Sequence, residues 1–261
     1  LTFTSSEDTT NFVKNDITLV GGTIGALSGS GKVYTATFTP TGDGATSISV
    51  AAGAFTDAVG NNSSASNTFQ WTYDTTGPTM TITSDVGASG QTTNDSTIGL
   101  TFTSSEVTTN FVKNDITLVG GTIGALSGSG KVYTATFTPS DDGATSIRVA
   151  AGAFTDAVGN QNTTSNTFQW TYDGTSPTMT ISSGTVNSGD TTDDNTIALT
   201  FTSSEDTTNF VKNDITLVGG TIGTLSGSGK VYTATFTPTD DGATSISVAA
   251  GAFTDAVGNN S

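Results

Sequence analysis

Acidic side chains carry almost all the chemistry open to this sequence. Its 261 residues hold 23 Asp and Glu against 7 Lys and Arg, a formal net charge of −16, with no His and no Cys. Without imidazole or thiol there is no Ser/His/Asp triad, no thiol nucleophile, no thiolate zinc site and no disulfide. A metal held here must be held by oxygen, which selects a hard cation. The oxygen-bearing residues recur as a set: Glu7, Asp16, Asp57 and Asn61, then Asp74, Glu106, Asp115, Asp156 and Asn160, then Asp173, Glu205, Asp214, Asp255 and Asn259. Ca²⁺ takes about six to eight oxygen ligands in flexible geometry, whereas Mg²⁺ demands a tight octahedron and keeps more of its water. Asp and Asn are also ordinary turn residues, because they hydrogen-bond their own backbone. Glu is not, so the recurrence of Glu7, Glu106 and Glu205 at one place is the feature that separates a cation site from a set of turns.

The recurrence follows a tandem repeat. LTFTSSE begins at Leu1, Leu100 and Leu199, a period of 99 residues (100 − 1 and 199 − 100), and NDITLVGGTIG, KVYTATFTP and AAGAFTDAVGN return in the same frame. Self-similarity at a fixed period has to be read before anything else, because each period is one structural unit. Residues 1–74 and 100–173 differ at eight positions, among them Asp8/Val107, Gly42/Asp141 and Ser49/Arg148.

Within each period, short runs of alternating apolar and polar residues are separated by Gly, Asn, Asp and Ser turns, which is the pattern of an all-β sandwich. In the middle repeat the expected strands are A at 79–83, B at 97–104 with Ile98, Leu100 and Phe102 inward, C at 114–119, a short strand at 122–126, E at 131–139 with Tyr133, Ala135 and Phe137 inward, F around Ile147 and Val149, and G at 166–173. About seven strands per hundred residues is an immunoglobulin-like count. No helical periodicity is present. Trp71 and Trp170 alternate with other aromatics and belong to the core rather than to a sugar-stacking surface.

Proline at the joints 74–78 and 173–177 ends one strand and restricts the residue before it. The domains are therefore 1–74, lacking strand A, 78–173, complete, and 177–261, lacking strand G. Two explanations of the incomplete ends stand side by side: a window cut from a longer array, which is the expectation, or a strand donated by another subunit.

Running the strands up and down in immunoglobulin-like order brings Glu106, just past strand B, to the same end of the domain as Asp115, Asp156, Asn160 and the incoming joint with Asp74. The next junction repeats the set with Asp173, Glu205, Asp214, Asp255 and Asn259, and the first repeat holds Glu7, Asp16, Asp57 and Asn61. A calcium ion at each junction is the expectation. A second acidic group at the opposite end, Asp43, Asp95, Asp141, Asp142, Asp193, Asp194, Asp240 and Asp241, is irregular between repeats and reads as solvated turn charge.

The frame LTFTSSE, FVKNDITL, GGTIG, SGSGKVYTATFTP, DGATSISVAAGAFTDAVGNN and WTYDTTGPT resembles the bacterial immunoglobulin-like repeats of very large surface adhesins and biofilm-associated proteins. The resemblance covers essentially the whole chain and departs only in TSSE, where TFSE is usual. It implies an extracellular stalk or filament at the cell surface between an anchored end and a binding tip, often rigidified by calcium. Its partners would be neighbouring repeats, copies of itself, or cell-surface and matrix glycans bound elsewhere. A spacer in a secreted polysaccharide-active enzyme and a fibre assembled by strand donation are the alternatives.

The acidic balance argues against nucleic acid and against a polybasic membrane contact. No apolar run is long enough to span a bilayer, and the chain reads as the interior of something secreted. With no catalytic constellation in view, no enzyme activity is expected from this segment. Asn61, Asn62, Asn94 and Asn162 open Asn-x-Ser/Thr triplets that permit glycosylation in a suitable host.

Overall fold

Alternation becomes pleated sheet throughout the chain, whose structure, a computed structural model, describes residues 1–261. The first repeat contains β1 (Thr2–Thr9), β2 (Ile17–Val20), β3 (Gly22–Ile24), β4 (Ser28–Thr35), β5 (Phe38–Pro40), β6 (Gly44–Val50) and β7 (Phe69–Tyr73). The second has β8 (Met80–Ser84), β9 (Thr92–Thr93), β10 (Ile98–Thr108), β11 (Ile116–Val119), β12 (Gly121–Ile123), β13 (Ser127–Pro139), β14 (Gly143–Val149) and β15 (Phe168–Tyr172). The third has β16 (Met179–Ser183), β17 (Ile197–Thr207), β18 (Ile215–Val218), β19 (Gly220–Ile222), β20 (Ser226–Pro238) and β21 (Ser245–Val248). The only helical elements are three single 3-10 turns, of which Lys113–Asp115 is the middle one.

The second repeat pairs β12-β13-β10-β8 in one sheet and β11-β14-β15-β9 in the other. The inward residues of both sheets, Ile82, Leu100, Phe102, Phe137, Ile147, Val149 and Trp170 among them, form one buried cluster. Side-chain period and pleat agree here, so each strand buries one face and leaves threonines on the other. Trp170 is 3% exposed and meets Phe137 edge to face at 4.8 Å, which places it in the core as expected. Gly121 allows β12 to cross close onto β13, because a Cβ there would lie 2.4 Å from the Phe137 ring.

Three departures from the sequence expectation have physical causes. A short strand, β9, pairs parallel to β15 through Thr92 and Thr93, a contact that carries no periodic signal. Strand B does not stop before Glu106: β10 runs on to Thr108, with its register against β13 shifted between Thr103 and Thr108. The Tyr133 hydroxyl donates to the Thr108 carbonyl at 3.0 Å and Lys131 Nζ to the Ser105 carbonyl at 2.7 Å, so the bulged strand end is held to its neighbour. The third repeat repeats this with Tyr232 on Thr207 and Lys230 on Ser204. Finally, Asn162 is 3% exposed and spends its amide on the carbonyls of Ala150 and Thr163, so this triplet is not an open glycan acceptor.

In the first repeat β1 pairs with β4 alone, and in the third β18 pairs with β21 alone. The chain divides into two compact units, Leu1–Pro78 with Thr155–Gln161, and Thr79–Phe154 with Asn162–Ser261.

Candidate metal centre

In the second unit three backbone devices bring carboxylates together. The bulged end of β17 carries Glu205, in the stretch between Thr202 and Thr207 where pairing with β20 shifts register. A bulge re-aims side chains locally, which is why a residue inside a strand can serve an end-of-domain site. The loop after Phe253 carries Asp255, and the joint carries Asp173 directly after β15. One carboxylate oxygen from each of Asp173, Glu205 and Asp255 lies within 4.8 Å of the others.

Asp255 is 3% exposed and its position is set by its own loop. Its Oδ1 accepts the backbone N–H groups of Val257, Gly258 and Asn259 at 2.9, 2.7 and 2.8 Å, and its Oδ2 accepts Asn259 Nδ2 at 2.8 Å. Wrapping three successive N–H groups round one oxygen needs Gly258 at φ 98, a left-handed conformation that glycine adopts without strain. Asn259 Nδ2 also donates to the Asp173 carbonyl at 2.9 Å, tying the joint to the loop. Its Nδ2 thus fastens the joint to the Asp255 loop.

The charges are not balanced within the cluster. Burial raises the Glu205 carboxyl above its ordinary value, the Asp173 and Asp255 charges and a hydrogen bond with Asp255 push it further, and Lys230 offsets only part. Burial acts upward on Asp255 too, but the bonds from Asn259, Gly258 and Val257 outweigh it and leave that carboxyl below its ordinary value. A buried anion held ionised beside a carboxyl driven toward protonation is an arrangement a divalent cation would relieve. The donor set is all oxygen, which fits Ca²⁺.

Asp214 does not join this group. Its Oδ2 accepts the Val211 N–H at 2.7 Å and closes the turn Lys212–Asp214. Asp16 and Asp115 do the same with Val13 and Val112, at 2.7 and 2.8 Å. The start of strand C is thus a self-capped turn, and these three aspartates, expected among the ligands, are committed to their own backbone.

In the first unit, Asp156 repeats the loop, accepting Val158, Gly159 and Asn160 N–H groups at 2.9, 2.7 and 2.9 Å, and Asn160 Nδ2 donates to the Asp74 carbonyl at 3.2 Å. Glu106 belongs to the second unit, half-buried in the bulged end of β10. In the first repeat Asp57 is bonded by Val59 and Asn61, and Glu7 is exposed in β1.

Sequence reasoning missed the role of the opposite acids. Asp142 is not a free turn charge: it accepts Gly174 N–H at 2.7 Å and the Thr175 hydroxyl, both in the joint. Asp43 does the same for Thr75 and Thr76. The Asp-Gly turn followed 32 residues later by Thr or Gly after Trp-Thr-Tyr-Asp is the signal that marks it, and no local pattern connects the two.

A family model described as a bacterial Ig-like domain matches the chain three times, over residues 1–73, 74–172 and 173–261. Asp173, Glu205, Asp255 and Asn259 all fall within the last of these matches. No curated protein matches the chain. Among solved structures it is similar to invasin, described as a bacterial integrin-binding protein, at 14% identity over 94% of this chain, with a TM-score of 0.38. The chain spans about half of that structure's length, 49%.

Proposed function

The chain belongs to the bacterial Ig-like domain family, in three tandem copies, and on that premise we propose that it works as an extracellular stalk of a surface adhesin, stiffened by Ca²⁺ at its joints. The observation that carries this is the joint at 173–175, which is gripped from both sides. Asp142 of the preceding repeat binds Gly174 and Thr175, while Asn259 of the following repeat binds the Asp173 carbonyl. A linker held at consecutive residues by two domains transmits orientation, which is what a spacer requires and a flexible tether does not supply.

Asp173, Glu205 and Asp255 are the residues that would hold the ion. Bound there, Ca²⁺ would neutralise carboxylates that otherwise repel one another across the joint. The chain's own contribution is the placement: the bulge of β17 aims Glu205, the Asp255 loop presents a fixed oxygen, and Asn259 fastens the joint to that loop.

Small-angle scattering in calcium and in chelator tests this reading. The expected outcome is a larger radius of gyration and a higher thermal midpoint with calcium. Superimposable profiles and equal midpoints would refute the calcium role.

A further inference from the structure

β8 and β16 occupy nearly interchangeable places in the second and third repeats. Met80, Ile82 and Ser84 lie opposite Ser104, Phe102 and Leu100 of β10, and Met179, Ile181 and Ser183 lie opposite Ser203, Phe201 and Leu199 of β17. The same serine receives each strand: Ser105 Oγ accepts the Thr79 N–H and Ser204 Oγ the Thr178 N–H, both at 2.9 Å. Along the two ladders the facing residues differ at one place, where Thr83 stands against Ser182. A chain that repeats its strands so closely can pair β8 with β17 or β16 with β10, and such exchange is a characteristic failure of folding arrays.

The two pairs differ just past the ladder. Asp85 Oδ1 accepts the Gly99 N–H at 2.9 Å and the Asp85 N–H donates to the Gly99 carbonyl at 3.1 Å, so one residue closes the end of β8 onto β10 through both backbone groups. Its carboxylate fills the space that a side chain at 99 would need, because a Cβ there would lie 2.4 Å from Asp85 Oδ2. One repeat later the residues are Gly184 and Ala198. The side chain now stands on β17 and the open position on its partner, where a Cβ on Gly184 would meet nothing within 4 Å. Both members of the pair have changed together.

We propose that Asp85 with Gly99 and Gly184 with Ala198 are two matched keys, by which β8 and β16 each select the strand of their own repeat. Set against β17, Asp85 would find the Ala198 methyl where its carboxylate belongs, and it would swing off the N–H that it holds on β10. Set against β10, Gly184 would bring no carboxylate and would leave the Gly99 N–H without its acceptor. Each mismatch costs about one hydrogen bond, a preference of about fivefold. Specificity is a difference between two pairings, and an apolar register shared by both cannot supply it. This goes beyond the stalk reading and does not depend on a cation.

The absence of cysteine makes the choice readable. Thr83 lies opposite Thr101, and its equivalent Ser182 opposite Thr200, and directly opposed strand positions are within disulfide reach. In the full chain carrying Thr83→Cys, Thr101→Cys and Thr200→Cys, a bond between positions 83 and 101 reports β8 on β10, and one between 83 and 200 reports β8 on β17, within one chain or between two. Refolded from denaturant, oxidised and mapped by peptide mass, this chain should give mainly the first bond. Adding Asp85→Gly with Gly99→Ala, which leaves both repeats with one key, should raise the share of the second bond about fivefold. Adding Gly184→Asp with Ala198→Gly as well, so that the keys trade places, should bring that share back down, which a mere loss of stability would not do. In thermal melting the Asp85→Gly and Gly99→Ala losses should be non-additive, the double variant losing less than the two single variants together. A share that ignores the first pair of substitutions, one that stays high when the keys trade places, or additive melting shifts would each overturn the proposal.

Discussion

Glu205 stands among like charges that hold its proton affinity up, and its pH behaviour follows from that. Below the ordinary Glu range, folded and unfolded chains both keep the proton and the group is neutral to stability. As pH rises through the unfolded value toward the raised native one, the unfolded chain ionises first, so the cation-free native state loses stability with rising pH. Glu205→Gln should therefore raise the thermal midpoint in chelator at pH 7, lose this advantage below pH ~4, and blunt the response to calcium. Melting curves with and without calcium at both pH values check all three. Asp142 has the opposite sign: the Thr175 hydroxyl and then the Gly174 N–H hold its carboxyl below the ordinary value. Its contribution is present above the unfolded Asp value and lost as pH falls through the depressed native one. Asp142→Ala should speed amide exchange at Gly174 at neutral pH, by a margin that shrinks in acid.

Strands and loops place these groups, and one ring ties them together. Phe210 is buried between Phe201, Tyr232 and Phe253, with ring centroids 5.8, 5.1 and 5.4 Å away. Those three neighbours sit on β17, on β20 and at the start of the Asp255 loop, so a single core residue supports both the Glu205 strand and the Asp255 loop. Phe210→Ala should cost about 3–5 kcal/mol in denaturant unfolding, the usual range for a buried aromatic. Because both supports rest on it, the same variant should lower the calcium-induced rise in midpoint. A loss of stability with the calcium response intact would mean that the loop and the strand hold their positions independently.

Across the molecule, stability is divided among three cores, one per repeat. Arrays of this kind unfold by repeat and interface rather than as one block. The second repeat completes two four-stranded sheets around its own core. Trp71 and Trp170 are the two tryptophans, one in the first repeat and one in the second. Single-tryptophan variants, Trp71→Phe and Trp170→Phe, each report one of these cores and should accordingly give two different melting temperatures. One coincident transition would show that the repeats are coupled more tightly than their separate cores suggest.

Period, alternation and composition are properties of neighbours along the chain, and they were enough for the repeat of 99 residues, the all-β sandwich and the restriction of any bound metal to oxygen. They also brought Asp173, Glu205 and Asp255 onto one candidate surface. Folding in three dimensions decided which acids meet and which do not. Asp214 was an equal candidate by position, yet its carboxylate turns back onto Val211, while Glu205 reaches the site because β17 shifts register within its last residues. A one-residue shift reverses the face of a strand side chain, and alternation cannot register it once pairing is broken. The grip of Asp142 on the joint was equally out of reach. It joins residues 32 and 33 apart through a backbone and a hydroxyl group, whose bonding depends on where two loops arrive and not on what lies beside them in the chain.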